Sequence, residues 1–269
     1  MIHRFEKEKR ERERKEKGRE RTCVCVCVCV CVMSPQPRFT IVVGNRAYSS
    51  WSLRAWLCVR RATQGDKRSL VKDIQIDLAG AGSAAAYERL REYSPTGKLP
   101  ALRDDVEKIT VWDSLAIADY MHDVFPEAQL WPKQISSRAI ARAAAAEMHS
   151  SFTDLRSAMP MNTRRRAPGE GKAADEGVDK DIRRVCELWD ECHVEARRHD
   201  LCGNGPFLFG SFTIVDAMFA PVVLRFRTYE PPQLTPFAKE YMQAILDDDD
   251  VKEWCALAEK EQHRIDKYE

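Results

Sequence analysis

Three serines surround one tryptophan in the stretch Ala47–Leu57, which reads AYSSWSLRAWL. Ser49, Ser50 and Ser52 lie where a short β-like run passes into an amphipathic, helix-like segment. A helix N-terminus offers unpaired backbone N–H groups and the positive end of the helix dipole. A serine hydroxyl at that point can donate a hydrogen bond to a thiolate and lower its pKa, or it can simply cap the helix. The stretch alone favours capping.

A second segment with possible chemistry is Ser94–Leu102, which reads SPTGKLPAL. Pro100 lies at the start of a predicted strand, and a cis bond before it would turn the Leu99 N–H and C=O outward. A peptide ligand could then pair with Leu99 like an added strand, while Lys98 meets a carboxylate. The alternative is an ordinary edge strand with a solvated lysine.

A third segment, Val111–Leu115, reads VWDSL and places Asp113 and Ser114 at the start of another predicted helix. Exposed N–H groups at a helix start suit a carboxylate ligand. Taken singly, this segment also reads as a helix cap.

Together, the order and spacing of the three segments resemble the thioredoxin-like domain of cytosolic glutathione transferases. The resemblance implies that Ser49, or alternatively Ser50, stabilises the glutathione thiolate. It also implies that the segment at Lys98, Leu99 and Pro100 pairs with the cysteinyl backbone. The serine motif looks most like serine-type enzymes near the zeta class and related bacterial transferases, although zeta members usually carry cysteine where this chain has tryptophan.

In the same resemblance, Asp113 and Ser114 hold the γ-glutamyl end of glutathione. Farther along, Phe209–Ala217 looks like the family's buried capping box, in which Thr213 caps a helix and Asp216 reaches back to its N–H. That box is a folding element. Two more segments resemble parts of the bacterial subgroup that lie near the electrophile pocket, and they are Glu147–Ser150 and Met159–Asn162.

Hydrophobic periodicity predicts two domains after a low-complexity N-terminus that covers residues 1–37. Residues 38–126 read as βαβ, a helix and then ββα, which is typical of a small mixed sheet with packed helices. Residues 133–265 read as all helix. The pattern therefore predicts a small α/β domain joined to a helical one. The resemblance implies that these are an α/β thioredoxin-like N-terminal domain plus an all-α C-terminal domain, the glutathione transferase fold.

The individual elements follow from the same patterns. Strands are predicted at 39–43, 70–76, 99–103 and 109–111. Helices are predicted at 51–63, 84–93, 115–125, 136–159, 181–198, 213–225, 236–246 and 251–265. We expect a helical core stripe of Ile182, Val185, Cys186, Trp189, Cys192 and Ala196, and we expect Ala118, Met121, His122 and Phe125 to be buried.

The first 32 residues are a run of Arg, Lys and Glu followed by five Cys-Val repeats. We interpret this segment as translated upstream sequence, with Met33 as the true start. A disordered tail and a metal-binding cysteine tract are the alternatives, although the cysteines lack the CxxC spacing of structural zinc sites. A signal peptide is disfavoured by the many glutamates and the missing cleavage site.

Charge and cysteine content limit the function classes. Ten of the 43 Lys/Arg and six of the 42 Asp/Glu lie in the first 32 residues, so the remaining body is slightly acidic and shows no nucleic-acid face. Its five scattered cysteines indicate a reduced, cytoplasmic protein. No apolar run reaches the length of about 18 residues that membrane helices need, which argues against a membrane partner. Cys186, Cys192 and His193 lie close together in the sequence, but both cysteines belong to the predicted helical core stripe. We therefore interpret them as buried thiols rather than as part of a metal site.

The expected activity is a glutathione transferase that adds the thiolate of glutathione, its cosubstrate, to a small electrophile without a metal. The resemblance implies a homodimer. One alternative is a glutathione-dependent cis–trans isomerase of the maleylacetoacetate type. The other is a non-catalytic glutathione-transferase-like binding module, which would tend to lose the serine motif or the Asp-Ser pair that this chain keeps.

Overall fold

A computed structural model describes residues 36–78, 84–170 and 176–269. All of them belong to one compact unit, Pro35–Glu269. The repetitive segment 1–32 lies outside the described residues, and so do the interpretations placed on it. Because the body is one unit, the predicted division into domains 38–126 and 133–265 stays a prediction.

A four-stranded mixed sheet carries the N-terminal half. Its strands are β1 (Phe39–Val43), β2 (Val71–Gln75), β3 (Ala101–Asp104) and β4 (Ile109–Trp112). The order is β2-β1-β3-β4, with β1 parallel to β2 and antiparallel to β3. Every residue of β1 is buried, as its run of β-branched and aromatic side chains predicts for a central strand.

Helices of the N-terminal half are α1 (Ser50–Ala62), α2 (Ala84–Arg91) and α3 (Ser114–Val124). α1 buries Leu53 and Leu57, and it packs along α3. Ala118, Met121 and Phe125 are buried as predicted, but His122 is only partly buried. It lies one residue beyond Met121, where the α3 surface already turns toward solvent.

The C-terminal half is helical. Its helices are α4 (Ile135–Ser150), α5 (Thr153–Ala158), α6 (Glu176–Arg198), α7 (Ile214–Tyr229), α8 (Pro236–Asp247) and α9 (Asp249–Glu259). α7 is buried along almost its whole length and packs against both α1 and α4. The predicted stripe on α6 is buried throughout. Within the described ranges, no helix has the length and apolar character needed to cross a membrane.

The prediction of one helix over 136–159 is wrong. The chain forms α4 and α5, and Phe152 between them takes a left-handed conformation with φ of 62°. The Ser151 N–H still bonds the Glu147 carbonyl and closes α4, while the Phe152 side chain enters the core. The break is driven by burial of a phenylalanine, so no glycine or proline marks it in the sequence.

Other element boundaries move by a few residues. β2 begins after a 3₁₀ turn at Gly65–Leu70, α6 begins earlier than predicted, and α9 ends before residue 265. Asp104, one residue beyond the predicted strand at 99–103, is the buried last residue of β3. Its carboxylate accepts hydrogen bonds from the Arg38 side chain and, at 2.8 Å, from the Tyr120 hydroxyl.

Candidate functional site

The serines beside Trp51 differ in their hydrogen bonds. Ser49 is the N-cap of α1, and its Oγ accepts from the Ser52 N–H at 3.4 Å and donates to Ser52 Oγ at 2.8 Å. Ser52 Oγ also accepts from the Gly44 N–H at 3.0 Å and is completely buried. Ser49 and Ser52 therefore complete the junction between β1 and α1.

Ser50 has different surroundings. It is the first residue of α1 and is 8% exposed. Within the described ranges its hydroxyl forms no hydrogen bond, although it lines a cavity together with Ser49. Of the two serines considered for the thiolate, Ser50 has the hydroxyl that is not engaged by its own chain.

That cavity has a volume of about 360 Å³, and we call it the serine cavity. Its walls come from the start of α1, from α5 and the segment after it, from α7 and from the C-terminal segment. The lining residues are Tyr48, Ser49, Ser50, Trp51, Thr153, Arg156, Ser157, Pro160, Met161, Arg225 and Tyr268.

A second cavity of about 450 Å³ adjoins the Leu99–Pro100 bond, which is cis as predicted, and we call it the cis-proline cavity. It is lined by Trp51, Thr96, Lys98, Leu99, Pro100, Trp112, Asp113 and Ser114. The structure thus brings the second and third sequence segments to one cavity. Trp51 lines both cavities.

The Asp113–Ser114 pair begins α3 in an unusual backbone geometry. Asp113 has φ of 76°, and its Oδ1 accepts from the Leu115 N–H at 2.9 Å. The other oxygen, Oδ2, lies 3.3 Å from Nε2 of His149 on α4. The Ser114 Oγ is buried without a hydrogen-bond partner in the described chain. Buried hydroxyls are normally paired, so an unpaired hydroxyl on a residue that lines a cavity indicates a candidate ligand position.

Side chains from three helices contact Trp51. His149, in the Glu147–Ser150 segment of α4, has its ring centroid 5.1 Å from that of Trp51. The guanidinium carbons of Arg54 and Arg156 lie 4.7 Å and 4.8 Å from a Trp51 ring centroid. Sequence reasoning missed both arginines. Arg54 lies three residues after Trp51 on α1 itself, whereas Arg156 comes from α5 and reaches Trp51 only through long-range packing.

The capping residues Thr213 and Asp216 line neither cavity. The Thr213 N–H and hydroxyl donate to Asp216 Oδ2 at 2.8 Å and 2.9 Å, and the pair forms a capping box at the start of α7. Burial raises the pKa of Asp216 to about 6, although the hydrogen bonds that it accepts act in the opposite direction.

Free thiols are absent from both cavities as far as the structure describes them. Cys58, Cys186 and Cys192 are buried, as the sequence predicts, and burial raises the pKa of each thiol. None of these cysteines is placed to act as a nucleophile at the start of α1.

Comparison with known proteins agrees with this geometry. Residues 48–124 match the family of glutathione S-transferase N-terminal domains, a range that includes the serine, cis-proline and Asp-Ser segments. No curated protein sequence matches the chain.

Solved structures match over most of the chain. A glutathione transferase homologue from Burkholderia, with bound glutathione, is 20% identical with a TM-score of 0.58, covering 84% of this chain and 100% of that one. Glutathione transferase Omega 2C from Trametes versicolor is 18% identical with a TM-score of 0.56, covering 81% and 93%. Ure2p in complex with S-hexylglutathione is 15% identical with a TM-score of 0.57, covering 82% and 99%.

These likenesses define the class of fold. The chain has the glutathione transferase fold, with a thioredoxin-like N-terminal part and a helical C-terminal part, as the sequence predicts. Its N-terminal part carries the glutathione S-transferase N-terminal domain.

Proposed function

We propose that this protein is a glutathione transferase that adds the thiolate of glutathione to a small electrophile. The observation that carries the proposal is the pair of cavities that share Trp51 as a lining residue. The cis-proline cavity offers groups that suit a peptide with a free carboxylate, which describes glutathione. The serine cavity begins at a helix N-terminus with an unengaged hydroxyl, which suits the glutathione sulfur.

In this proposal the γ-glutamyl end of glutathione occupies the cis-proline cavity. The Ser114 hydroxyl, buried and without a partner in the described chain, donates to the γ-glutamyl carboxylate. Asp113 Oδ2, which is not used in capping α3, attracts the ammonium group. Leu99 pairs with the cysteinyl backbone, and the exposed Lys98 meets the glycyl carboxylate.

The sulfur then lies at the edge of Trp51, next to the start of α1. Ser50 donates a hydrogen bond to the thiolate there, and the positive helix end adds to the effect. Both lower the thiol pKa, so more thiolate is present at neutral pH. The sequence-based assignment to Ser49 stays a prediction, but its hydroxyl is engaged with Ser52, which favours Ser50.

Glutathione binding tests the first half of the proposal. We expect calorimetry to show binding to the full chain, and Ser114→Ala to weaken it by about 1 kcal/mol or more, because a hydrogen bond to a charged group is lost. Ser136→Ala, at an exposed serine on α4, is the matched control. An unchanged affinity in Ser114→Ala would remove the assignment, and no binding at all would overturn the proposed function.

Turnover tests the second half. A panel of electrophiles containing an activated aryl halide and a conjugated cis alkene separates conjugation from isomerisation. If glutathione binds but the protein neither conjugates it to an electrophile nor isomerises the alkene, the result would instead support a non-catalytic binding module.

The resemblance also implies a homodimer in the cytoplasm, and both are part of the proposal. Light scattering on the purified protein should give twice the 30.9 kDa mass of one chain. A monomer at micromolar concentration would contradict the proposed assembly while leaving the proposed activity open to its own tests.

A further inference from the structure

Three arginines at or near the serine cavity have no ion-pair partner among the described residues. Arg156 and Arg225 line the cavity, and the guanidinium carbon of Arg54 lies 4.7 Å from a Trp51 ring centroid. None of the three forms an ion pair with a carboxylate in the described residues, whereas the other buried arginine there, Arg46, pairs with Asp73. The three come from α5, α7 and α1, so the fold itself assembles the cluster.

Burial makes this arrangement costly, since charged groups taken out of water need partners. Arg54 and Arg225 are 2% and 6% exposed. Burial, and then repulsion from neighbouring arginines, lowers the pKa of Arg54 to about 9 and that of Arg225 to about 10. Arg54 also keeps Nη1 buried without an acceptor.

Neutral carbonyls hold the cluster in place. Arg225 Nη1 donates to the carbonyls of Met159 and, at 3.2 Å, Arg156, while Arg54 Nε donates to the Met218 carbonyl at 3.1 Å. These bonds fix the guanidinium groups but leave their charge uncompensated. The break between α4 and α5 contributes as well, because it directs Arg156 toward Trp51.

The cavity is also larger than a sulfur atom needs. Besides Ser50, it is lined by Thr153, Ser157 and Tyr268. A compact organic molecule fits a volume of about 360 Å³. Such a molecule would have one end at the sulfur and the other at Arg156. An anionic group at that end would lie near the guanidinium groups of Arg156 and Arg225.

We propose that the second substrate is an electrophile bearing a carboxylate, and that Arg156 with Arg225 binds this carboxylate in the serine cavity. This inference rests on the proposed function, because it places glutathione in the adjoining cis-proline cavity. Arg156, which is partly exposed, provides the reachable contact, and the buried Arg225 fixes its backbone and adds positive potential.

The test compares two glutathione conjugates that differ only in the anionic group, S-benzylglutathione and S-(4-carboxybenzyl)glutathione. Neither conjugate has a free thiol, so an effect of the arginines on thiol ionisation cannot change the measured affinities. We expect calorimetry on the full chain to show roughly tenfold tighter binding of the carboxylated conjugate, as for a charge-assisted hydrogen-bonded pair. Arg156→Met should reduce that ratio to near one without changing the affinity for S-benzylglutathione, and Arg156→Lys should keep part of it.

Arg197→Met is the matched control, because Arg197 is exposed on α6 and lines neither cavity. It should leave the ratio unchanged. Equal affinities in the wild-type protein would overturn the inference and leave the proposed function standing, as would a preference that survives Arg156→Met. If neither conjugate binds, and glutathione does not bind either, the proposed function fails and the inference fails with it.

Discussion

Each serine beside Trp51 meets a different chemical environment, although the three look equivalent in the sequence. Ser49 caps α1, Ser52 accepts a backbone N–H inside the junction, and Ser50 faces a cavity with its hydroxyl unengaged. The sequence could predict that hydroxyls meet a helix start here, because a strand pattern precedes a helical one. It could not divide their roles, since that depends on side-chain directions at the first turn of α1.

Replacing Ser50 with alanine should raise the pKa of bound glutathione toward its free value. The physical reason is loss of the hydrogen bond that favours the thiolate, and each tenfold change in the acid dissociation constant of the thiol corresponds to about 1.4 kcal/mol. The thiolate absorbance of the complex, followed against pH, measures this directly. Turnover at neutral pH should fall while the melting temperature stays near that of the wild type.

Ser49→Ala provides the comparison for that titration. If its curve moves and that of Ser50→Ala does not, the thiolate donor is Ser49, as the sequence resemblance first implies. If neither curve moves, the serines act only in capping.

Ser52→Ala should have the opposite profile. Its Oγ is the acceptor for the buried Gly44 N–H, and removing it leaves that donor unpaired. We expect the free energy of unfolding to fall by about 1–3 kcal/mol, measured by urea denaturation, with little change in the thiolate pKa. A variant as stable as the wild type would show that another acceptor replaces Ser52.

Secondary-structure elements were predicted well where periodicity is strong and poorly where a buried side chain overrides it. The continuous buried run of β1 and the stripe of α6 follow from burial on two faces and on one face respectively, and a sequence pattern records both. The break at Phe152 does not, because it depends on where the core of the folded protein accepts a phenyl ring. Asp104 is a second case, since its partners Arg38 and Tyr120 are distant in the sequence.

Asp104, on the strand β3 that pairs with β1, makes the stability of the protein depend on pH in the acid range. Burial alone would raise its pKa, but hydrogen bonds from Arg38, Tyr120 and two backbone N–H groups outweigh this and hold the pKa at about 2. A folded-state pKa below the ordinary value contributes stability that is present above about pH 4 and is lost as the pH falls toward 2. The contribution is about 2–3 kcal/mol.

Asp104→Asn should therefore lower stability at pH 7 and flatten the fall in stability between about pH 4 and pH 2. Denaturant unfolding across that range measures both effects. Asp105→Asn, at the neighbouring and partly exposed carboxylate, is the control and should keep the wild-type slope. An unaltered slope in Asp104→Asn would mean that other carboxylates govern the acid transition.

For the molecule as a whole, the fold class could be predicted from the sequence, but the shape of the serine cavity could not. A βαβ–ββα order followed by helices allows few arrangements, so the class follows from element order. The serine cavity instead depends on α1, α5, α7 and the C-terminal segment meeting at one place. Its arginines are far apart in the sequence, and each alone reads as a surface charge.

A protein that starts at Met33 should fold and act like the full chain. The buried clusters that the structure describes begin at Phe39, and none of the proposed ligand contacts comes from an earlier residue. Circular dichroism, thermal unfolding and turnover of the truncated and full proteins test this together. A truncated chain that fails to fold, or that loses most of its turnover, would give the N-terminal segment a role.

Trp51 has a consequence for how two ligands would influence each other. Trp51 lines both cavities, so a ligand that displaces its side chain in one cavity changes the space in the other. The two binding equilibria are then thermodynamically linked. If one ligand changes the affinity for the other by some factor, the second ligand changes the affinity for the first by the same factor. Filling the cavities in either order would reach the same final state, but the first occupant would set the affinity that the second one encounters.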